Sequence, residues 1–349
     1  MLRIVIFVTA ALLLLFADGP VLKTGQTNSY DGLGNVVTDG SIKDDGYYRK
    51  GKPVDYTKGY DVVTDNATGL SWQDDESIIK TWVTSTNWHA GRYHDTSGNT
   101  ATTYCNELTL FGAGWRLPTI QELKTLVDYG QYEPSTTPEV FSHIHEHQND
   151  SAYWSSTSGA TTTYEHLAWR VRFFGGAVGS GDKWSGQVYV RCVRGGPLAS
   201  SSLNRNERAQ VVTDWTTGLQ WQDNSDVGSI RRNWIDALDY CEQLELDGDR
   251  DWRLPNSNEL FSIIDYSRRP AINTSVFVNT NESSTSPAWT STTSARDTEK
   301  AWWVYFGSGL VHSSGIKRLS AYVRCVRDGE GGSSGNNGLI PVVTTFLLN

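Results

Sequence analysis

The 349-residue chain lacks the features on which several classes of protein depend. Methionine occurs only at position 1, no run of lysine and arginine stands out, and the formal net charge is −9. Such an acidic surface repels nucleic acid and anionic membranes, so neither is an expected partner. The chain also has no glycine-rich phosphate loop, no nucleophile elbow and no grouping of an acid, a base and a nucleophile. We therefore expect that it is not an enzyme.

Hydrophobic runs are short. Arg3 precedes the apolar run 4–16 and the small residue Ala17, an order that is typical of a secretory signal peptide at residues 1–17. The run is too short to span a bilayer with margin, so no transmembrane span is expected. The sequence therefore predicts a secreted protein, located outside the cell, at the cell surface or in the periplasm.

Aromatic residues and glycine are abundant instead. The chain has 14 tryptophans, 16 tyrosines and 33 glycines, a composition typical of many short strands joined by loops. Its length suits two domains of ordinary size better than one core.

The chain contains two copies of one long unit. The matching segments, first copy and then second, are 62–74 and 211–223, 104–108 and 240–244, 115–118 and 252–255, 153–157 and 288–292, and 189–194 and 322–327. Each copy is long enough to fold by itself, which distinguishes it from a solenoid repeat. The repeat predicts domains at 58–196 and 207–328, a leader at 18–57 and a linker at 197–206.

The repeat also selects a disulfide pairing. Four cysteines allow three pairings, and only the symmetric one joins Cys105 to Cys192 and Cys241 to Cys325. Metal ligation is the competing interpretation, but the CxxC spacing that it favours is missing. Closing loops of this length restricts the unfolded chain by about 4–5 kcal/mol in the entropy model.

Local patterns predict an α+β fold. Thr119 with Glu122, and Asn256 with Glu259, form the pattern of a helix capping box. An earlier helix in the second copy is indicated by apolar residues on one face of 234–244. The last third of each copy alternates apolar and polar residues, as strands do. Each domain is therefore expected to have two helices and an antiparallel sheet, closed by one disulfide.

Four motifs, taken in order, resemble a known family. They are TDNATGLSWQD, WRLPTIQEL, YWSSTS and VYVRCVR, and they are similar to the Lcl C-terminal domain family of bacterial surface and secreted proteins. The resemblance covers both copies, and within the leader at 18–57 the residues 24–27, with Tyr30 and Asp31, are similar to the leader that precedes such domains. It implies a C-type-lectin-like fold, related to formylglycine-generating enzyme and to the variable proteins of diversity-generating retroelements. It also implies extracellular recognition, with adhesion to sulfated polysaccharide in some members.

The resemblance places a ligand surface in the irregular stretches before the last strands, 158–187 and 294–320. Aromatic rings beside hydrogen-bond donors suit recognition of a carbohydrate or of a protein surface. The alternative, that several of these tryptophans belong to the core, remains open. The candidate ligand-binding residues are Trp169, Arg170, Arg172, Lys183, Trp184, Trp302, Lys317 and Arg318.

Two further groups of charged residues have alternative interpretations. Arginines flank the last cysteine of each copy, and they are candidates either for binding sulfate or carboxylate groups or for internal ion pairs. Asp247, Asp249 and Asp251 form an acidic loop that is a candidate calcium site or an ordinary solvated turn. The triplets by which C-type lectins bind calcium are not matched near the last strands, so no cofactor other than this calcium is considered.

These observations predict a secreted or surface-exposed, adhesin-like protein that recognises polysaccharide. One alternative is a protein-binding display domain of the retroelement-diversified type, with a cell-surface protein as partner. Another is a structural subunit of a surface assembly. In that case the Gly/Ser-rich tail at 329–349, which ends in a short apolar run, is a candidate for self-assembly by strand pairing.

Overall fold

The computed structural model describes residues 21–76, 78–144, 152–184 and 188–329. The predicted signal peptide and the tail after residue 329 lie outside the described residues. The fold is α+β, with strands more numerous than helices, and two tandem domains follow a leader. Within the described ranges, no helix is long and apolar enough to cross a membrane.

The elements are short and follow one another in the same order in both domains. The leader contains β1 (Ser29–Tyr30), β2 (Val36–Val37) and α1 (Asp45–Tyr48). The first domain contains β3 (Tyr56–Lys58), β4 (Val62–Asp65), β5 (Leu70–Gln73), β6 (Ile78–Ile79), α2 (Ser85–His89), α3 (Ala101–Glu107), α4 (Ile120–Lys124), β7 (Ala152–Ser158), β8 (Leu167–Arg172), β9 (Ala177–Asp182), β10 (Tyr189–Val190) and β11 (Val193–Arg194). The second domain contains β12 (Leu203–Asn206), β13 (Val211–Asp214), β14 (Leu219–Gln222), β15 (Arg231–Arg232), α5 (Trp234–Glu242), α6 (Ser257–Ser262), β16 (Ala288–Thr293), β17 (Lys300–Tyr305), β18 (Leu310–Ile316), β19 (Ala321–Tyr322) and β20 (Val326–Asp328).

The first repeated motif forms a hairpin in each domain, and its turn explains why both copies keep the same spacing between Asp and Gly. In the first domain the carboxylate of Asp65 accepts hydrogen bonds from the backbone N–H groups of Ala67 and Thr68. Gly69 then takes a left-handed conformation with φ of 76°, which glycine adopts without steric cost. The second copy repeats the turn, with Asp214 at its start and Gly218 at φ of 73°.

Both predicted capping boxes and both predicted disulfides are confirmed. Thr119 and Asn256 each cap a helix and exchange hydrogen bonds with the glutamate three residues on. Cysteine pairs 105–192 and 241–325 are bonded, with Cα atoms 5.4 and 5.5 Å apart. Each bridge ties a helix to the segment between the last two strands of its domain.

Three expectations about elements need correction. The first domain has three helices rather than two, because the polar insertion in its sequence separates α2 from α3. The predicted last strand of each domain is two strands in different sheets: β10 and β19 belong to the large sheet, β11 and β20 to small four-stranded sheets. The large sheet is also mixed, since β10 pairs parallel with β7, as β19 does with β16.

The two domains share one ten-stranded sheet. Its order is β15-β19-β16-β17-β18-β9-β8-β7-β10-β6, so the domains meet where β18 pairs antiparallel with β9. The face that packs against α4 and α6 carries an aromatic pair from each domain. Trp169 contacts Tyr266 of the other domain, and Trp302 contacts Tyr129 in the same way. Such exchange of equivalent partners is the geometry of a two-fold interface.

The leader packs on the second domain, although it precedes the first. The buried carboxylate of Asp45 accepts a hydrogen bond from the hydroxyl of Thr292 at 2.7 Å. Gln26 accepts one from the backbone N–H of Thr293 at 2.6 Å, and the Tyr48 hydroxyl donates to Glu242. The leader therefore covers the strand end that is left partly exposed at the equivalent place in the first domain.

Candidate binding surface

Two of the predicted ligand-binding residues lie side by side on one face of the large sheet, and both are partly exposed. Arg170 and Arg172 are two positions apart in β8, so their side chains point to the same face. Their cross-strand partners are the small Gly179 and Ala177 in β9, and Trp154 and Ala152 in β7. The Arg170 guanidinium lies 5.9 Å from the ring centroid of Trp154. The Arg170 guanidinium lies over Gly181, where a Cβ atom would be 2.6 Å from Cζ.

Neither arginine forms an ion pair with another described residue, although the charge of Asp182 partly opposes the lowering of the pKa of Arg170. In the described part of the chain, no carboxylate oxygen lies within 4.0 Å of Arg170 or Arg172. The Nε atom of Arg170 is buried without a hydrogen-bond partner. Burial, with repulsion from Arg172, lowers the pKa of Arg170. Two neighbouring cations with unused donors are the arrangement that binds an anion.

The same face continues across the domain junction. The antiparallel register places His312 of β18 next to β9, opposite Trp303 of β17. Tyr305 lies 5.9 Å from Trp303 and 6.4 Å from His312, measured between ring centroids. Burial and the charge of Arg172 lower the pKa of His312. The face thus combines two cations from the first domain with three partly exposed rings from the second.

An aromatic cluster lies at the edge of the first domain. Trp184, which is 43% exposed, lies 6.2 Å from Trp88 and 5.8 Å from His89. Tyr93 and His166 complete the cluster through Trp88. Sequence reasoning found only Trp184. The signal for three of the others was the first-domain segment around α2, which places Trp, His and Tyr where the second copy has no counterpart.

Four other predicted residues are buried, so the expectation of exposure is corrected for them. Trp169 and Trp302 are 7% and 3% exposed at the domain junction. Their rings fill the space between the shared sheet and the partner domain's tyrosine. The alternative that these tryptophans belong to the core is the one that the structure supports.

Lys183 and Lys317 occupy equivalent internal positions. The Nζ atom of Lys183 donates to the backbone oxygen of Tyr93 at 2.8 Å and lies 4.1 Å from the Trp82 ring. Lys317 donates to the backbone oxygen of Asp31 in the leader and lies 3.9 Å from the ring of Trp234. Burial lowers their pKa values to about 8 and about 7. Their amino groups therefore hold covering segments in place.

The residues that follow the two lysines are exposed but differ in chemistry. Trp184 belongs to the aromatic cluster, whereas Arg318 is an exposed cation on the second domain. The structure therefore brings together Arg170 and Arg172, and it does not gather all eight predicted residues into one site.

The arginines beside the last cysteines form internal contacts. Arg191 pairs with the buried carboxylate of Asp74 at 3.0 Å, and Arg324 pairs with Asp223 at 3.1 Å. Arg194 lies 4.8 Å from the ring of Trp115. Of the two interpretations of these arginines, internal pairing is the one that the geometry supports.

The acidic loop is part of the same internal pairing. Asp249 and Asp251 lie 2.8 and 3.0 Å from the guanidinium of Arg327. Asp247 has a left-handed backbone conformation, with φ of 56°, as residues in tight turns do. Across the described ranges, no three or more His, Cys, Asp or Glu side chains form a group that suits a metal ion. The loop is therefore arranged around an arginine rather than around a cation site.

The fold and this surface define a duplicated, disulfide-closed α+β protein whose shared sheet carries two neighbouring arginines that form no ion pair with the residues the structure describes. The profile of the Lcl C-terminal domain family matches residues 61–194 and 210–327, and the chain belongs to that family. No curated protein matches the chain significantly.

Proposed function

We propose that this is an exported, adhesin-like protein with two C-type-lectin-like domains, and that it binds anionic polysaccharide on the face around Arg170 and Arg172. The observation that carries the proposal is that these two neighbouring arginines form no ion pair with another described residue. Sulfate and carboxylate groups accept paired hydrogen bonds from guanidinium. They would satisfy donors that the protein leaves unused.

The rings beside the arginines favour a sugar over a simple ion. Tyr305 and Trp303 present aromatic surface on the same face, partly exposed. Aromatic rings pack against the apolar C–H faces of sugars while the hydroxyl groups remain hydrated. A polysaccharide with regularly spaced anions would contact both parts of the face at once.

Export is supported by two features of the chain. The predicted signal peptide is the usual export signal of a secreted protein. Both cysteine pairs are bonded, and disulfides persist in oxidising compartments such as the periplasm and the cell exterior. Family membership adds support, because the Lcl C-terminal domain family is one of bacterial surface and secreted proteins.

Binding to a glycan array that includes sulfated polysaccharides tests the proposal, first in calcium and then in chelator. The double variant R170A/R172A should bind sulfated chains at least about tenfold more weakly, since hydrogen bonds to charged groups contribute roughly 1.5–3 kcal/mol. The matched control R231A/R232A removes the same charge from an exposed strand of the second domain and should bind as the wild type does. Binding should weaken with salt and should not respond to chelator.

The contrary results are equally specific. Equal losses in both double variants would mean that only net charge matters, and the proposed face would be rejected. No glycan binding by the wild type would reject the polysaccharide and would favour a protein partner. A separate variant, Trp184→Ala, measures the contribution of the aromatic cluster to glycan binding. Its control is Trp215→Ala, which removes another exposed ring, 64% exposed, outside the cluster.

A further inference from the structure

A cleft of about 550 Å³ lies where the two domains, the linker and the beginning of the leader meet. Its walls come from α4 of the first domain and α6 of the second, so neither domain forms it alone. Clefts between domains are common positions for small-molecule sites, and this volume is within their usual range. The cleft does not include Arg170, Arg172 or the aromatic cluster.

The cleft has two kinds of lining. Leu198, Phe261 and Ile264 provide an apolar part. Gln121 of α4, Thr125 at its end, and Ser200 and Ser201 of the linker provide a polar part. A ligand with an apolar face and several hydroxyl groups matches this lining.

One buried cation belongs to the lining and has no acidic partner. Lys124 is 2% exposed, and its Nζ atom donates to Asn258 of the other domain at 3.0 Å. The amine lies 4.1 and 4.8 Å from the ring centroids of Tyr129 and Phe261. Within the described ranges, no carboxylate lies within 4.0 Å of it.

The acids that line the cleft are already neutralised. Glu122 is bound by Arg116 through two hydrogen bonds of 2.7 and 2.6 Å. Asp265 accepts from Arg268 at 2.5 Å. The uncompensated charge of the cleft is therefore that of Lys124. The amine has Asn258 and two aromatic rings as neighbours but no carboxylate among the described residues, so an anion that enters the cleft would be favoured.

We propose that this cleft binds a small hydroxylated anion of the sugar-acid or sugar-sulfate type, whose anionic group becomes the counter-ion of Lys124. The sugar ring would pack against the apolar wall, and its hydroxyl groups would form hydrogen bonds with the hydroxyl and amide groups of the lining. Asn258 would orient the amine, because it also holds the leader through the backbone oxygen of Leu22 at 2.9 Å. The site is separate from the sheet face of the proposed function.

The protonation of Lys124 provides a measurable test of the proposal. Burial lowers the pKa of Lys124 well below its usual value, and a bound anion would raise it again. Binding should therefore take up a proton at pH values between the free and the bound pKa, and affinity should fall as pH rises. A ligand held only by hydrogen bonds would show neither effect.

Isothermal titration of the full chain tests this, with glucuronate, glucose 6-sulfate and neutral glucose as probes. We expect one or both anions to bind at least tenfold more tightly than glucose, with proton uptake in buffers of different ionisation enthalpy. The two anions distinguish a carboxylate site from a sulfate site. Lys124→Met, which replaces the amine with an apolar chain of similar length, should abolish the preference for anions.

The control R170A/R172A should retain the anion binding, which separates this site from the polysaccharide face. Thermal unfolding of Lys124→Met shows whether the variant folds, and the proton uptake of the wild type provides a test that does not depend on the variant. The proposal is overturned by equal binding of glucose, by binding without proton uptake, or by no binding of either anion.

Discussion

The ring centroids of Trp169 in the first domain and Tyr266 in the second lie 4.4 Å apart, nearly edge to face. Trp302 and Tyr129 repeat the contact at 4.7 Å with the domains exchanged. A second exchanged pair places Arg269 over Tyr164 and Arg296 over Tyr132. Because the two copies descend from one unit, the same surface serves both sides of the junction, as in a two-fold dimer. The two domains should therefore unfold as coupled units.

Replacing Trp169 with alanine should destabilise the protein strongly. The ring is buried at the junction, and large-to-alanine changes at such sites cost about 3–5 kcal/mol. Urea unfolding followed by tryptophan fluorescence measures the change in free energy. The exposed Trp215→Ala is the control and should change stability by less than about 0.5 kcal/mol. Equal effects of the two substitutions would mean that the junction does not stabilise the domains.

The two disulfides should contribute nearly equally. They close loops with sequence separations of 87 and 84 residues, and the entropy model gives about 4–5 kcal/mol for loops of this length. C105S/C192S and C241S/C325S should therefore lower the free energy of unfolding by similar amounts, measured under oxidising conditions. A change below about 1 kcal/mol in either double variant would show that the unfolded chain is already restricted there.

The equivalent arginines Arg191 and Arg324 should respond differently to the same change. Arg191→Met leaves the buried Asp74 without a cation, whereas Arg324→Met leaves Asp223 still bound to Arg205 at 2.8 Å. Removing one partner of a buried pair costs about 3–5 kcal/mol. We expect the loss for Arg324→Met to be smaller by about 1–2 kcal/mol, because one charge-assisted hydrogen bond remains. Chemical unfolding of both variants tests this, and equal losses would contradict it.

Docking of the leader should weaken as pH rises from about 4 to about 7. Burial raises the pKa of Asp45 to about 7, with smaller contributions from Glu259 and Asp44. Because the folded-state pKa exceeds the unfolded value, the stabilisation is complete below the unfolded pKa and is lost as pH rises through about 7. Lys317, whose pKa burial lowers to about 7, begins to lose its proton at the upper end of this window, and that loss favours the folded state as pH rises, opposite to the effect of Asp45.

Hydrogen exchange of the leader amides between pH 4 and pH 8 measures this dependence, after correction for intrinsic exchange rates. Asp45→Asn should remove most of the slope while it keeps the acceptor for Thr292. An unchanged slope in that variant would assign the effect to another group. The control Asp39→Asn changes an exposed leader residue and should leave the slope intact.

Much of the local structure followed from the sequence, because its signals act over a few residues. The capping boxes at Thr119 and Asn256 depend on side chains three positions apart. The disulfide pairing depended on the repeat alone. The proposed binding face was predicted only in part: Arg170 and Arg172 were identified, but the rings of Trp303, Tyr305 and His312 were not, because they come from the other domain.

The sequence by itself determined that the unit is duplicated, where each copy caps its helices, and which cysteines pair, since these features are written in short patterns and in their repetition. Only the tertiary structure decided which rings are core and which cations are unpaired. Trp169 and Arg170 are neighbours in one strand, yet one is buried against Tyr266 and the other has no acidic partner among the described residues. Alternation along a strand assigns them to opposite faces. Which parts of the sheet are covered depends on contacts between residues distant in sequence, those between the two domains and those of the leader with the second domain.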